Sequence, residues 1–263
     1  MADPVGSGNG AGSGTASGMV SVGALEPHSP DAAVAAHYGD PMREQRILAT
    51  AVGLVDRSHR GVIAIRGEQR LSWLHDLTTQ HLSGLSAGQG TETLLLSPHG
   101  QVEHHLMVAE DGTTTWLDVE PGSAAGLLAF LEKMRFMLRV EPRDVTAEWA
   151  LLSLVGPHLA DALAALGVGT AGSSTPGGPE LAEPDVLPVP GPKFASGTVP
   201  SRPTARYAVR ALPGGQVTGV GGEYGGWARR LPLGADLLVP RSTVAAVAAR
   251  LASVGVPACG LWA

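Results

Sequence analysis

The sequence predicts an α+β protein in which antiparallel sheets carry helices on one face. Short β-rich runs alternate with longer runs of helical periodicity. Tight-turn signals such as Asp111-Gly112 join neighbouring β-rich runs as hairpins. The order strand, helix, strands, helix then occurs twice along the chain. We therefore expect two related α+β units, although no stretch of identical residues repeats.

The first unit is predicted from periodicity and turns. Apolar residues Leu127, Leu131, Met134 and Leu138 recur on one stripe, which predicts a long helix packed on a sheet. Ahead of the unit, residues 43–54 are expected to form a short helix or turn. The predicted elements are strands at 61–66, 91–96, 101–109, 113–119 and 139–146, with helices at 68–82 and 123–138.

The second unit follows the same plan. It is interrupted by residues 167–203, which are rich in Gly, Pro and Ser and predict an irregular insertion. The predicted elements are strands at 149–155, 207–212, 216–220 and 236–240, with helices at 158–166 and 242–254.

Domain limits follow from composition. Residues 1–35 are mostly Gly, Ser, Ala and Pro, and we expect them to form a disordered tail. The first α+β domain is then expected at 36–146 and the second at 147–263, with the insertion at 167–203.

Composition and charge exclude several classes of protein. Hydrophobic residues make up 44% of the 263 residues, which is enough for a sizeable core. The net charge of -6 and the lack of a basic cluster argue against nucleic acid as a partner. No apolar run reaches the ~20 residues that cross a bilayer, so we expect no membrane partner and a cytoplasmic location. The single cysteine, Cys259, excludes a disulfide framework and is expected to be a small buried side chain.

Several segments, in order, resemble one family, the glycine-cleavage T-protein (GcvT) and its relative YgfZ. The opening pattern is a Gly-hydrophobic-x-Asp-x-Ser-His turn, a strand that ends in Gly, and a helix that ends near a Thr. The segments with this likeness are 53–59, 62–67, 71–80, 97–102, 151–157 and 234–240. The likeness runs from about His37 to Ala263.

The resemblance implies a fold and a cofactor. In this family two related ferredoxin-like, GcvT-type α+β domains form a folate-binding cradle, followed by a barrel-like domain. It implies tetrahydrofolate or a related folate as the ligand. YgfZ-type members also carry a Lys-Gly-Cys-x-Gly-Gln-Glu motif that is tied to iron–sulfur enzymes. Cys259 does not match that motif, so we expect a C-terminal truncation without the barrel domain.

Two departures from the family pattern concern carboxylates. The T-protein has two adjacent aspartates where this sequence has His104 and His105. Because strand side chains alternate, Glu103 and His105 are expected to share one face and His104 the other. By the resemblance, the candidate folate contacts are Glu92, Glu103, His104 and His105.

The second departure lies in a later loop. The T-protein has a Gly-Tyr-Thr-Gly-Glu stretch whose Glu contacts the pterin. Here the stretch is Ala-Arg-Arg-Leu-Pro at 228–232, without an acid, and Glu223 could replace that acid only if the loop is shifted. A carboxylate matters there because it pairs with the N–H donors of the pterin ring.

These departures predict a YgfZ-like folate-binding protein that supports iron–sulfur cluster assembly or maintenance without aminomethyl transfer. Iron–sulfur enzymes or assembly proteins would then be its partners. The alternative is an aminomethyltransferase of the glycine cleavage system. A third reading is a folate domain of a demethylating or dehydrogenase-linked enzyme.

No catalytic residue or metal ligand is assigned from the sequence. The run of His99, Glu103, His104 and His105 lacks the distant further ligand of a zinc site, which favours a polar sheet face. Ser58 and His59 are adjacent, and adjacent side chains rarely point at each other. We interpret that pair as part of a structural turn.

Overall fold

Two sheets pack face to face, and helices cover the outer face of each. The computed structural model describes residues 28–168, 207–212 and 225–263. The helices are α1 (Pro41–Thr50), α2 (Arg70–Leu77), α3 (Ala124–Arg135), α4 (Leu159–Ala165) and α5 (Val244–Ser253). The strands are β1 (Gly53–Asp56), β2 (Gly61–Arg66), β3 (Gln89–Leu96), β4 (Val102–Glu110), β5 (Thr114–Val119), β6 (Glu141–Asp144), β7 (Trp149–Val155), β8 (Val209–Ala211), β9 (Trp227–Leu231), β10 (Gly234–Pro240) and β11 (Ala258–Cys259).

The first sheet is antiparallel, with the strand order β3-β4-β5-β2-β6. Helices α2 and α3 lie on its outer face. In α3, Ala124, Leu127 and Leu131 are buried at a spacing of three and four residues, which places one stripe on the sheet. That stripe packs on Ile63 and Ile65 of β2 in one hydrophobic cluster.

The second sheet has the order β11-β1-β7-β10-β9-β8. All its neighbouring strands are antiparallel except β1 and β11, which pair in parallel through Leu54 and Val55. Helices α4 and α5 cover the outer face, where Leu163 and Val247 pack on Leu152 of β7.

The inner faces of the two sheets meet in a third cluster. Val62 of β2 and Trp116 of β5 pack there with Leu151 of β7 and Leu238 of β10. The neighbouring residues of the same strands point outward into the helix layers. The central strands are therefore buried on both faces, which explains their near-continuous apolar sequences.

The predicted α+β class is confirmed, with antiparallel strands and helices on one face of each sheet. The strands predicted at 61–66 and 149–155 have the predicted bounds. Three strands, β1, β9 and β11, were not predicted. The predicted strand at 216–220 and most of the insertion at 167–203 lie outside the described residues.

Two predicted helices were too long. The helix predicted at 68–82 covers only Arg70–Leu77, and the one predicted at 123–138 ends at Arg135. The second ends early because Phe136 takes a positive φ of 46°, which right-handed helical backbone does not allow. Leu138, predicted to face the core, lies beyond this end and is partly exposed, and Met134 in the last turn of the helix is partly exposed as well.

The folded chain begins before residue 36. Residues 28–35, predicted as part of a disordered tail, are described, and Val34 and Ala35 are buried. The N–H groups of Leu261 and Trp262 donate to the carbonyls of Ala35 and Ala36 at 3.0 and 3.2 Å. The prediction was wrong for 28–35 because a segment without periodicity can still be held by backbone hydrogen bonds. Residues 1–27 lie outside the described part.

The division at residues 146 and 147 does not separate the sheets cleanly. Strand β1 comes from the first half of the chain, yet it pairs with β7 and β11 in the second sheet. The limits 36–146 and 147–263 therefore stay a prediction about domains.

Candidate functional site

A cluster of ionised side chains lies between the two sheets. Arg229 is fully buried, and its Nη2 donates to Asp118 Oδ1 at 2.7 Å and to Asp236 Oδ2 at 2.6 Å. Asp118 belongs to the first sheet and Asp236 to the second, so one guanidinium joins both. Arg60 donates from Nε to Asp118 Oδ2 at 3.1 Å. Arg57 lies 3.5 Å from Asp236 and completes the cluster.

The opposite charges of this cluster stabilise one another's ionised forms. Burial alone would raise the pKa of Asp118, but Arg229 and Arg60 outweigh burial and hold that pKa below its ordinary value. Burial likewise opposes the charged form of Arg229, and Asp118 and Asp236 reverse this effect and raise its pKa. Asp118 and the two buried guanidinium groups, Arg60 and Arg229, are therefore expected to stay charged.

A cavity of about 490 Å³ opens beside this cluster. Its walls are mainly apolar, and the polar side chains among its lining residues are Arg57 and Ser153. The Ser153 hydroxyl donates to Asp236 at 2.6 Å, which links the cavity wall to the ion pairs. The lining residues are Leu48, Val55, Arg57, Ser153, Leu154, Val155, Leu231, Pro232, Leu233, Gly234, Gly260 and Leu261.

The properties of this cavity match those of a small-molecule site. Ligand sites typically have ~300–1,000 Å³ of volume, apolar walls and a few convergent polar groups. Arg57 is 26% exposed, and its contacts to Ser153 and Asp236 are long, at 3.4 and 3.5 Å. Its guanidinium can therefore contact an anionic group of a ligand in the cavity.

The β3–β4 hairpin extends past the strands beside it. Strand β4 pairs with β5 only over residues 107–110, so its earlier residues project beyond that pairing. On this projecting part His105 Nε2 lies 3.2 Å from Glu92 Oε2, and the Tyr207 hydroxyl donates to Glu92 Oε1 at 3.1 Å. Gly90 allows the segment before β8 to approach, because a Cβ there would lie 2.8 Å from the carbonyl oxygen of Tyr207.

The structure brings two of the four predicted folate contacts together. Glu92 and His105 form the pair just described, on the inner side of the hairpin. Glu103 is exposed, and His104 pairs with Leu95, which is buried on the helix side. His104 and His105 thus lie on opposite faces, as alternation predicts. The strand pairing skips Glu103, so its place on the face of His105 stays a prediction. The role of all four residues in folate binding stays a prediction.

The stretch predicted to be an acid-free loop is partly a strand. Residues 228–231 belong to β9, and Pro232 follows in the turn that lines the cavity. Asp236, four residues later, supplies a buried carboxylate near that turn. Glu223, the predicted substitute acid, lies outside the described residues.

Three other residues with potentially reactive side chains, Ser58, His59 and Cys259, are buried or held in structural positions. His59 is buried and its Nε2 lies 2.8 Å from Asp31, while the Ser58 N–H donates to Asp56. Burial lowers the pKa of His59 in spite of the Asp31 carboxylate. The Cys259 thiol is buried, and burial raises its pKa to about 11, so it is expected to be unreactive.

The described residues contain no group of three or more His, Cys, Asp or Glu side chains that could hold a metal ion. Over the same residues, no helix has the length and apolar character needed to cross a bilayer.

Sequence reasoning missed the ion-pair cluster and Arg57. A signal for the cluster is present in the sequence, because Asp236 stands within a strongly apolar strand, and Asp118 and Arg229 stand in strands next to Leu117 and Ala228. A charged residue in a strand with both faces buried must be paired. The sequence does not show which charges pair, because Asp118 and Arg229 are far apart in the chain.

Comparisons with known proteins show which protein family the chain belongs to. The family model described as the GCVT N-terminal domain matches residues 33–173, which is more than half of the chain. The chain belongs to this family, and its likeness to the GcvT group is confirmed.

Curated relatives match a limited part of the chain. An aminomethyltransferase of Chlorobium phaeovibrioides is 30% identical over 122 residues, which cover 46% of this chain and 33% of that protein. An aminomethyltransferase of Thermus thermophilus is 30% identical over 130 residues, which cover 49% of this chain and 37% of that protein. The chain thus spans about a third of the length of these relatives.

A solved structure supports the fold. The glycine cleavage system aminomethyltransferase T from Bartonella henselae superposes with a TM-score of 0.60 at 19% identity. The superposition covers 90% of this chain and 56% of that chain. The arrangement of the two sheets is therefore that of a GcvT-type protein.

Proposed function

We propose that this chain binds a reduced folate in the cavity beside Arg57, as the folate-binding part of a tetrahydrofolate-dependent, aminomethyltransferase-type protein. The cavity carries this proposal, because its apolar walls and the one partly exposed cation among its lining residues fit the chemistry of a folate. A reduced folate has a pterin ring system, an aromatic p-aminobenzoyl ring and a glutamate tail with carboxylates. The rings suit the walls formed by Val55, Leu154 and Pro232, and a carboxylate suits the guanidinium of Arg57.

The aminomethyltransferase reading has more support than the iron–sulfur reading. The relatives reported above are named aminomethyltransferases, and the matching structure is an aminomethyltransferase. The support for the iron–sulfur role is the sequence resemblance to YgfZ alone. That role stays a prediction for this chain.

A second candidate function is folate binding without group transfer. Two observations favour it. His104 and His105 stand where the resemblance places two aspartates. The buried carboxylates of the ion-pair cluster, Asp118 and Asp236, each accept a hydrogen bond from Arg229, and neither is among the residues that line the cavity.

A substitution at Arg57 tests folate binding. Arg57→Gln removes the cation but keeps a polar side chain of similar length. We expect the Kd for 5-formyltetrahydrofolate, measured by isothermal titration calorimetry, to rise at least about tenfold, because a charge-assisted hydrogen bond contributes ~1.5–3 kcal/mol.

The matched control is Arg66→Gln, which removes the same charge at the exposed end of β2. It is expected to leave the Kd unchanged. If the unmodified chain does not bind the folate, the proposed function is wrong. If the chain binds it with a Kd that Arg57→Gln leaves unchanged, the folate binds somewhere other than this cavity.

An aminomethyl-transfer assay separates the two candidate functions. The full chain is incubated with tetrahydrofolate and the partner proteins of the glycine cleavage system, and methylene-folate formation is measured. Turnover supports the transferase. Folate binding without turnover supports the second candidate.

A further inference from the structure

A cluster of exposed apolar side chains lies where α3 turns into β6. We call residues 132–139 the α3–β6 corner. Phe136 is 90% exposed and Met137 83%, and the neighbouring Met134 and Leu138 are 41% and 36% exposed. Four large apolar side chains are exposed within five positions, and exposed apolar surface of this kind often marks an interaction site.

The backbone holds this patch outward in a defined conformation. Phe136 is the one non-glycine residue with a positive φ in the described part of the chain. Such strain persists where the surrounding structure fixes it and clusters at functional surfaces. The Trp73 indole donates to the Met134 carbonyl at 3.2 Å, and Arg135 contacts the Val140 carbonyl at 3.5 Å. Side-chain contacts therefore fix the corner on both sides of Phe136.

The charge of the corner is opposite to that of the chain. Lys133, Arg135 and Arg139 are cations around the apolar side chains, and Glu132 is the one anion among residues 132–139. Arg135 lies 3.6 Å from Glu132, which offsets one cation. The chain as a whole carries a net charge of -6.

We propose that the α3–β6 corner is a docking surface for an acidic partner protein with an apolar pocket that receives Phe136 and Met137. Aromatic residues, Met and Arg are the side chains enriched in protein–protein interfaces. Acidic groups of the partner would pair with Lys133 and Arg139 at the rim, where such pairs steer association.

The observations favour a protein partner over a membrane or a second copy of this chain. Recognition of anionic lipid typically needs four to eight clustered cations, whereas the corner has three, one of which pairs with Glu132. A two-fold dimer through this surface would place the same cations opposite one another.

The corner and the candidate folate site lie at opposite ends of β2. Arg60 of the ion-pair cluster precedes Gly61, while Arg66 at the other end pairs with Glu141, two residues past the corner. Six strand residues span about 20 Å. A partner can therefore dock without covering the cavity, and this inference does not depend on the proposed function.

A two-stage binding experiment with the full chain tests this inference. Proteins captured from the native lysate by the immobilised chain are identified, and each is purified on its own. Its affinity for the chain is then measured by biolayer interferometry at low and high salt. We expect an acidic protein whose Kd rises at least tenfold with the double substitution Phe136→Ser and Met137→Ser, and whose binding weakens as salt is added.

The matched control is Met42→Ser, because Met42 is another exposed methionine, at 67%, on α1. It is expected to leave the Kd unchanged. Circular dichroism and a thermal melt would show that the double variant keeps its fold, as expected for exposed side chains.

Several results would overturn the inference. One is the absence of any purified protein whose binding depends on Phe136 and Met137. Another is binding of the corner to phosphatidylserine vesicles, or light scattering that shows a dimer lost on the double substitution. Hydrogen exchange that shows protection of the corner by another segment of this chain would also overturn it.

Discussion

Replacing Arg229 with methionine is expected to destabilise the folded chain by about 3–5 kcal/mol, the cost of removing one partner from a buried ion pair. The reason is that Asp118 and Asp236 would remain buried after losing the guanidinium that joins them. Arg60 and Arg57 would still contact one carboxylate each, so we expect the lower half of this range. Urea unfolding monitored by tryptophan fluorescence measures the change.

Two further variants show whether charge is the cause. The double substitution Arg229→Met and Asp236→Leu removes the carboxylate that loses its main partner and leaves Asp118 paired with Arg60, so it should recover part of the loss. Arg143→Met breaks an exposed pair with Glu148 and should change stability by less than about 1 kcal/mol. A double variant as unstable as the single one would show that packing, and not the unpaired charge of Asp236, makes Arg229 important.

Gly260→Ala is the second change with a large expected effect. A Cβ at this position would lie 1.9 Å from the carbonyl oxygen of Ala36 and 2.4 Å from the Cα of His37. Because these are backbone atoms, the segment at 35–37 would have to move away, and overpacking of this kind costs about 1–3 kcal/mol or more. Gly260 also lines the cavity, so we expect weaker binding of 5-formyltetrahydrofolate together with a lower Tm.

Gly126→Ala is the matched control. Gly126 lies within α3, and a Cβ there would meet nothing within 4 Å. Alanine in a helix is preferred over glycine by roughly 1 kcal/mol, so this variant should be slightly more stable. If Gly260→Ala melts at the temperature of the unmodified chain, the close approach of the two segments is wrong.

The sequence predicts the bounds of a strand well where the residues of that strand and the turn after it are sufficient to define it. Strands β2 and β7 have the predicted bounds because their apolar runs end at Gly67 and Gly156, where the chain turns. The parallel pairing of β1 with β11 could not be predicted in this way. β11 has two residues, and its pairing depends on a partner far away in the chain.

The candidate site was predictable only in part. The alternation of strand side chains correctly separates His104 from His105, because that rule is local. The contact of Glu92 with His105 and Tyr207 depends on strand register and on the approach of the second sheet. Arg57 was not predicted because a single arginine in a turn belongs to no recognisable sequence motif. Its place at the cavity depends on contacts with Ser153 and Asp236, which lie in other strands.

The parallel pairing of β1 with β11 sets an order for biosynthesis. Leu54 pairs with Ala258, roughly 200 positions later, and contacts of such long range form slowly. During synthesis, β1 can pair with β7 as soon as β7 has left the ribosome. Its other edge stays unpaired until β11 has been synthesised. An open edge of this kind is a site of aggregation, so the nascent chain is expected to need chaperone protection during that interval.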